Sequence, residues 1–274
     1  MSANDVTIHP AASVHPKARL DSGVWIGPGC VIGENVGLGR GTRLESHVSI
    51  IGLTEVGPDC RFAPFSSIGT EPQDLGYKGD PTRVEIGEGN IFKEFITINR
   101  GTAKGGGVTR IGNRNYLMAY THIGHDCQVG NEVVFTNNTT LAGHVVVGDF
   151  ALLSGFTGVH QFCRIGRFAF TGGFTVITQD LPPFCKVAGM RPVKIFGLNS
   201  VGLRRRGFSN ERIHALRDMI KILLYADLNT AQALEKIQSS FPPGEDRDEL
   251  LGFVRSSKRG IIKKTAEKWE TDSE

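Results

Sequence analysis

The sequence predicts a mainly β protein built as a parallel β-helix, on three observations. An apolar residue recurs every six positions in two series, from Ile8 to Ile68 and from Ile111 to Ile177, and Thr171 is the single break. The residue two positions before most of these anchors is small, and glycine often follows the anchor. A period of six is typical of a coil whose faces are short parallel strands, and an α-helix does not sustain it.

Three hexapeptides would make one triangular coil, so residues three repeats apart should stack at the strand spacing of roughly 4.8 Å. The anchors are expected to fill the core, and the small residues to fit the corners. Glycine after an anchor is expected to supply backbone angles that other residues resist. The pattern resembles the left-handed hexapeptide β-helix family. Handedness and assembly as a homotrimer are implied by that resemblance, because the usual crossover preference is right-handed.

The repeat predicts a β-helix domain over residues 1–190 and an α-helical C-terminal domain over residues 191–274. Two interruptions predict excursions from the coil, one at residues 70–85 and a glycine-rich one at residues 99–110. Long loops on rigid scaffolds frequently carry function. The glycine run lacks the GK[ST] signature of a phosphate-binding loop, so we interpret it as a flexible loop that closes over a ligand.

After Pro182 and Pro183 the period of six gives way to the 3/4 spacing of amphipathic helices. Ser209 is expected to cap the first of these helices, because a serine hydroxyl accepts a free N–H of the first turn. A second helix is expected to start near Thr230 and a third to span residues 248–254.

The composition argues against several classes of function and indicates a cellular compartment. A net charge of +3 gives no reason to expect a nucleic-acid partner. The sequence shows no signal peptide and no apolar run of membrane-spanning length, so we expect a cytoplasmic protein without a transmembrane segment. Five cysteines without a CxxC pair fit a reducing compartment. Packing explains four of them, which fall in the small corner column, and Cys185 has no role that the pattern indicates.

Four histidines fall close together along the second series: His122, His125, His144 and His160. Stacking places the backbone of Gly143 one coil above His125, and Asp126 one coil below His144. Because imidazole titrates near neutrality, His125 is a candidate general base for a sugar hydroxyl. Asp126 would fix its tautomer. The Gly143 N–H would bind the oxyanion of a tetrahedral intermediate.

Two other interpretations stay open at this point. Outward-facing histidines also fill contacts between subunits, so a non-catalytic hexapeptide scaffold or binding protein is one alternative. The other is a metal site, like the three-histidine zinc centre of some hexapeptide β-helices. The spacing of the four histidines fits that pattern poorly, so we expect neither a metal nor a bound cofactor.

Six stretches of the sequence resemble the family of UDP-N-acetylglucosamine O-acyltransferases, and the resemblance covers nearly the whole chain. HIGHD followed in order by LAGH, HQF and RRGF is far more specific than the repeat alone. The stretches that carry the resemblance are QDLGYKGDPTRVEIG (73–87), TINRGTAKGGG (97–107), HIGHDCQVGN (122–131), NNTTLAGHVVVGDFA (137–151), GVHQFCRIG (158–166) and GLRRRGFS (202–209).

The resemblance implies the first reaction of lipid A biosynthesis. A 3-hydroxyacyl chain moves from the phosphopantetheine of acyl carrier protein to the 3-hydroxyl of UDP-N-acetylglucosamine. It implies that His125 is the general base, that Asp126 supports it, and that Gly143 supplies the oxyanion N–H. It also implies that Gly173 sets chain length, and the small residue there predicts a long chain.

The resemblance further implies a set of substrate contacts. Gln73 and Asp74 would face the sugar and acyl chain, although a loop cap also explains an aspartate there. His122, His144 and His160 would line the same cleft. Gln161 and Asn199 would contact the nucleotide. Arg205 and Arg206 would meet the UDP phosphates, which suit the planar fork of arginine.

The chain departs from the family pattern at three positions. Gly76 stands where the family commonly has lysine, and Lys78 is expected to substitute for it. Asn99 replaces a usual histidine, and Val201 stands where an acidic residue often follows the nucleotide-contacting Asn199. These positions leave substrate detail open.

Two related enzymes therefore remain as alternatives. One is the N-acyltransferase of the same pathway, which usually carries an extra N-terminal domain, and the other is an acyltransferase for a 3-amino UDP-sugar, which would form an amide. Acyl carrier proteins are acidic, so the basic residues 255–264 or 204–206 are expected to dock the donor.

Overall fold

The computed structural model describes residues 5–190 and 193–263, which form a long coil of short strands followed by helices. Residue 264 of the predicted docking segment lies outside them. In chain order the strands are β1 (Thr7–Ile8), β2 (Ser13–Val14), β3 (Arg19–Leu20), β4 (Trp25–Ile26), β5 (Val31–Ile32), β6 (Val36–Leu38), β7 (Arg43–Leu44), β8 (Ser49–Ile50), β9 (Leu53–Val56), β10 (Arg61–Phe62), β11 (Ser67–Thr70), β12 (Arg83–Ile86), β13 (Ile91–Phe92), β14 (Thr97–Asn99), β15 (Val108–Ile111), β16 (Tyr116–Leu117), β17 (His122–Ile123), β18 (Gln128–Val129), β19 (Val134–Phe135), β20 (Thr140–Leu141), β21 (Val146–Val147), β22 (Leu152–Leu153), β23 (Gly158–Val159), β24 (Arg164–Ile165), β25 (Phe170–Thr171), β26 (Val176–Ile177), β27 (Cys185–Ala188) and β28 (Lys194–Leu198).

These strands stack into three sheets, one for each face of a triangular coil, and the ladders of the coil are parallel. Ile26 pairs with Leu44, one coil of three hexapeptides further on. Both anchors are fully buried, and so is Phe62 on the next coil, whose ring stacks on Phe92 with centroids 4.5 Å apart. The predicted parallel coil, with its anchors in the core, is therefore confirmed.

The small corner column is buried, and hydroxyl and thiol groups in it donate to backbone carbonyls. The Thr42 hydroxyl donates to the Gly57 carbonyl at 3.1 Å, and the Cys127 thiol lies 3.1 Å from the Ala142 carbonyl. All five cysteines are free and buried, including Cys185. Burial raises the pKa of the Cys60 thiol to about 11. The corner cysteines thus serve packing, as the pattern predicts.

For the glycines after the anchors, the predicted left-handed backbone is confirmed at Gly69 (φ 77°) and wrong at the others. Gly27 and Gly57 are not among the residues with left-handed backbone. A Cβ at Gly57 would instead lie 2.6 Å from the backbone carbon of Gly87 on the next coil. The left-handed positions lie three residues before the anchors, and most are not glycine, as at Phe65 (φ 63°) and Tyr120 (φ 62°). Glycine after the anchor is required by the close approach of neighbouring coils.

The chain leaves the coil twice. β9 pairs with β12 although Leu53 and Arg83 are 30 residues apart, so the first excursion lies between β11 and β12. β14 pairs with β17 across 25 residues, from Thr97 to His122, and the second excursion lies between β14 and β15. It contains a 3₁₀ turn, Ala103–Gly105, capped by the Thr102 side chain.

The last coil passes into the helices through β27 and β28, which pair antiparallel. The helices are α1 (Ser200–Arg205), α2 (Asn210–Tyr225), α3 (Thr230–Ser240) and α4 (Glu245–Arg255). Ser209 caps α2 as predicted, and its hydroxyl accepts from the Arg212 N–H at 3.2 Å. The helix α1 was not predicted. The division at residues 190 and 191 falls between β27 and β28 and stays a prediction.

The chain after α4 returns to the coil. The buried carboxylate of Asp180 accepts from the Arg164 N–H at 2.9 Å and from the Ser257 hydroxyl at 2.8 Å. The Ile262 N–H donates to the Asp180 carbonyl. Within residues 5–190 and 193–263, none of the helices has the length and hydropathy of a membrane span.

We predict that Gly57→Ala destabilises the protein by about 1–3 kcal/mol, because the added methyl overlaps the next coil. Gly158→Ala is the matched control, since a Cβ at Gly158 meets no atom within 4 Å. Urea denaturation followed by circular dichroism measures both. Equal unfolding free energies for the two variants would contradict this account of the glycines.

Candidate active site

His125 and Asp126 form a hydrogen-bonded pair at the corner after β17. Asp126 occupies a left-handed corner position, with φ 60°. Its Oδ2 lies 2.8 Å from His125 Nδ1, and its side chain is fully buried. With Nδ1 held by a carboxylate, the imidazole presents Nε2 as the free proton acceptor. The bent corner backbone is what lets two adjacent residues pair in this way.

The second excursion holds the Asp126 carboxylate. The Thr102 N–H donates to both carboxylate oxygens, at 2.9 and 3.1 Å, and the Thr102 hydroxyl donates to Oδ2 at 2.7 Å. The Asp126 N–H donates to the Thr109 hydroxyl at 2.8 Å. A buried carboxylate needs hydrogen-bond donors to offset the loss of water, and the Thr102 N–H and hydroxyl supply two. Sequence reasoning missed Thr102, because its place on a non-periodic loop carries no stacking signal.

Two glycines of the second excursion pack against Asp126. A Cβ at Gly105 would overlap the Asp126 carboxylate, and a Cβ at Gly101 would lie 2.8 Å from Asp126 Oδ1. These glycines bring loop backbone against the carboxylate. Gly101 and Gly105 thus have a packing role that the sequence did not predict, and closure of the glycine run over a ligand stays a prediction.

Gly143 lies directly above His125, as the stacking arithmetic predicts. A Cβ at Gly143 would sit 2.6 Å from His125 Nε2, so a larger residue would displace the ring. The His144 N–H donates to the His125 carbonyl at 2.9 Å, which fixes the two coils together. Among the described residues, no acceptor engages the Gly143 N–H. This donor is thus available beside the imidazole.

His144 and His122 flank the pair. His144 Nε2 lies 3.7 Å from Asp126 Oδ2, and its ring meets His125 edge-on at 5.0 Å and stacks on Phe162 at 4.4 Å. Burial lowers the pKa of His144, which Asp126 and Asp74 raise and His125 lowers by smaller amounts.

His122 Nδ1 lies 2.7 Å from the Thr97 hydroxyl. Burial, and then His125, lower the pKa of His122. Lowered pKa values favour neutral rings for both His122 and His144, so neither adds a full positive charge beside the base at neutral pH.

Asp74 on the first excursion approaches this group. One of its oxygens accepts from the Gly76 N–H at 2.8 Å, as a loop cap does, and its charge acts on His144. Asp74 also lines a cavity between the two excursions. Its neighbour Gln73 is exposed.

Other predicted residues lie on later coils. His160 and Gln161 are exposed, and His160 Nδ1 lies 3.1 Å from the Gln161 carbonyl. Gly173 is exposed further along, and a Cβ there would lie 3.6 Å from the Gly155 carbonyl, which is ordinary contact. A larger side chain therefore fits at Gly173. Within the described part of one protomer, His160 and Gln161 have no hydrogen bond or ion pair with His125.

A second group lines a cavity of about 320 Å³ between the coil and α1, and Asn199, Arg205 and Arg206 belong to it. Arg206 lies over the Phe150 ring at 4.8 Å and binds Glu132 at 2.5 Å. Asn199 caps α1 by accepting from the Gly202 N–H at 3.2 Å. The lining of this cavity contains none of the His125 group, so one protomer holds two separate groups of predicted site residues.

The three departures from the family pattern have distinct surroundings. At Gly76, the nearest side-chain atom to an added Cβ is Lys104 Nζ, at 3.2 Å. Lys78 lines the same cavity as Lys104, and its substitution for the family lysine stays a prediction. Asn99 is buried and donates to the Thr70 hydroxyl at 2.9 Å and the Glu71 carbonyl at 2.8 Å, which anchors the first excursion. Val201 is exposed and lines the cavity with Asn199.

The ligand atoms of His125, Asp126 and His144 lie within 4.8 Å of one another, a grouping that can hold a metal ion. The Asp126 carboxylate, however, already accepts from Thr102 and His125. The absence of a metal stays a prediction.

Comparison with known proteins places the chain among acyltransferases. A family model described as UDP-N-acetylglucosamine O-acyltransferase, domain 2, matches residues 180–262, and a bacterial transferase hexapeptide model matches residues 109–143. The acyl-[acyl-carrier-protein]–UDP-N-acetylglucosamine O-acyltransferase of Thermodesulfovibrio yellowstonii is 49% identical over 93% of this chain and 99% of its own. That of Stenotrophomonas maltophilia is 45% identical over 96% and 100%.

Solved structures agree. The UDP-N-acetylglucosamine acyltransferase of Francisella novicida is similar with a TM-score of 0.92, 38% identity and 95% coverage of both chains. The enzyme of Bacteroides fragilis gives 0.91 and 37% over 94% of this chain and 100% of that one. The left-handed parallel β-helix with a helical C-terminal domain is thereby confirmed.

We predict that Thr102→Val lowers kcat by roughly tenfold, because the buried Asp126 carboxylate loses a charge-assisted hydrogen bond. Thr102→Ser keeps the hydroxyl and should retain most activity. The pH dependence of kcat should move in the valine variant and stay in place in the serine variant. Equal rates and equal pH profiles for both variants would show that the Thr102 hydroxyl does not position the pair.

Proposed function

Because the chain belongs to the UDP-N-acetylglucosamine O-acyltransferase family, we infer that it transfers an acyl chain from acyl carrier protein to UDP-N-acetylglucosamine. This is the first step of lipid A biosynthesis. The observation that carries the mechanism is the contact of His125 with both Asp126 and the Gly143 backbone. The rest of the mechanism follows from that geometry.

His125 Nε2 takes the proton of the sugar 3-hydroxyl as its oxygen attacks the thioester carbonyl. Asp126 stabilises the imidazolium that forms through its bond to Nδ1. The carbonyl oxygen becomes an oxyanion, and the Gly143 N–H donates to it. When the intermediate collapses, the carbon–sulfur bond breaks and His125 returns the proton to the phosphopantetheine thiolate. The base is then regenerated without a further cofactor.

The remaining predicted contacts require a second protomer. The proposed assembly is a homotrimer in which the cleft around His125 is completed by a neighbour carrying His160, Gln161, Asn199, Arg205 and Arg206. Asn199, Arg205 and Arg206 line a cavity without any residue of the His125 group, which supports this. So does a column of stacked rings on one edge, where Phe65, Phe95 and Tyr120 are 51%, 42% and 55% exposed. Exposed apolar columns of this kind are usually covered by a partner.

Donor docking and location also remain proposals. Arg255, Lys258 and Arg259 are exposed after α4, and Arg204 and Arg205 are exposed on α1. Each cluster suits an acidic carrier protein at low salt. The cytoplasmic location stays a prediction.

Mass spectrometry of UDP-N-acetylglucosamine incubated with the protein and a series of 3-hydroxyacyl carrier proteins tests the function. We predict a product acylated on oxygen and no product with His125→Ala. If the protein forms only an amide, and only from a 3-amino UDP-sugar, then that sugar is the acceptor and UDP-N-acetylglucosamine is not. No product from either acceptor would favour the binding scaffold.

We predict that the wild-type protein prefers long 3-hydroxyacyl donors and that Gly173→Met shifts the preference to short ones. The reason is that the methionine side chain would fill space that is open beside Gly155. The same donor series measures the product distribution for both proteins. An unchanged distribution in the variant would remove Gly173 from the acyl site.

A further inference from the structure

The two excursions enclose a cavity of about 340 Å³ that carries charged groups the mechanism does not use. Its lining is Asp74, Gly76, Tyr77, Lys78, Asp80, Thr102, Ala103 and Lys104. The same stretch of loop that bonds Asp126 through Thr102 therefore presents the Lys104 side chain to this cavity. The cavity has charged side chains on its lining and lies beside the His125–Asp126 pair.

The Lys104 ammonium lies close to Gly76. A Cβ at Gly76 would lie 3.2 Å from Lys104 Nζ and 3.3 Å from Asp74 Oδ1. Gly76 is not among the glycines with left-handed backbone, so its conformation does not require glycine. What the missing side chain provides is room for the ammonium of Lys104 beside the carboxylate of Asp74.

The lysines of this cavity are not engaged within the described part of the chain. Neither the Lys104 nor the Lys78 ammonium has a hydrogen bond or ion pair there. Arg100 nearby is already engaged, since it donates to the Tyr77 hydroxyl at 2.9 Å and pairs with Glu71 at 3.3 Å. The free cationic charge of the cavity is therefore that of the two lysines, and Lys104 is the one against Gly76 and Asp74.

We propose that the Lys104 ammonium binds a phosphate oxygen of a substrate at the space left by Gly76. The proposal rests on the proposed function, in which both substrates carry phosphate: a diphosphate on the sugar nucleotide and a phosphodiester on phosphopantetheine. Asp74 and Asp126 place two carboxylates at this end of the cleft, and a phosphate arriving there needs a cation. An ammonium donor to phosphate forms a charge-assisted hydrogen bond.

Titration calorimetry on the full-length protein tests the proposal with two probes, UDP-N-acetylglucosamine and 4′-phosphopantetheine. Lys104→Gln should weaken one probe by roughly tenfold to hundredfold. The probe that weakens identifies which phosphate is bound. Lys236→Gln, on the exposed face of α3, is the matched control for loss of one positive charge and should bind both probes normally.

The Gly76→Lys/Lys104→Gln double variant tests whether the place of the charge matters. A lysine at position 76 should restore the affinity lost in Lys104→Gln, and Lys104→Arg should retain it. Unchanged affinity for both probes in Lys104→Gln would overturn the proposal. So would an equal loss in Lys104→Arg accompanied by a lower melting temperature, which would mean that the residue only supports the turn.

The binding affinities for the two probes are measured independently of product formation. If the wild-type protein binds the probes but forms no acylated product, the proposed function fails while the Lys104 site is still measured. If it forms product and Lys104→Gln binds both probes normally, the function stands and the Lys104 site is wrong.

Discussion

The buried carboxylate of Asp126 is the group on which the rest of the site depends. Asp126 lies at a left-handed corner of the coil. Its carboxylate accepts hydrogen bonds from the Thr102 N–H and hydroxyl and is hydrogen-bonded to His125 Nδ1. Burying an unpaired carboxylate would cost several kcal/mol. The second excursion therefore has a structural role, because it supplies hydrogen-bond donors to the buried Asp126 carboxylate.

The coil brings residues that are 18 positions apart in the sequence into contact. Gly143 reaches His125 because the two positions are one coil apart, and His144 reaches Asp126 for the same reason. The absence of a side chain at Gly143 matters as much as the presence of a ring at His125. Rigid stacking thus places a backbone donor and a base against one reacting atom without help from a mobile loop.

The parts that could be predicted from sequence are those with the period of six. Anchors, corner residues and the placement of Gly143 above His125 all follow from position in the repeat. The parts that could not be predicted lie where the period is lost. Thr102 and Lys104 sit on an excursion, so their distances to Asp126 and Gly76 have no stacking rule.

The left-handed backbone of the corner residues was also not predicted from the sequence. Left-handed φ values at residues such as Phe65 contradict the ordinary preference for glycine, and the coil imposes them. Predicted residues on later coils and on α1 are not joined to His125 in one protomer, which sequence similarity alone does not reveal.

A double-mutant cycle on His125 and Asp126 tests the central claim most directly. The claim is that Asp126 acts through the His125 ring, so single-turnover rates should be measured for His125→Ala, Asp126→Ala and the double variant. We predict that the double variant is no slower than His125→Ala, because the carboxylate has no task once the ring is removed. Losses that multiply in the double variant would contradict the account and give Asp126 a separate role.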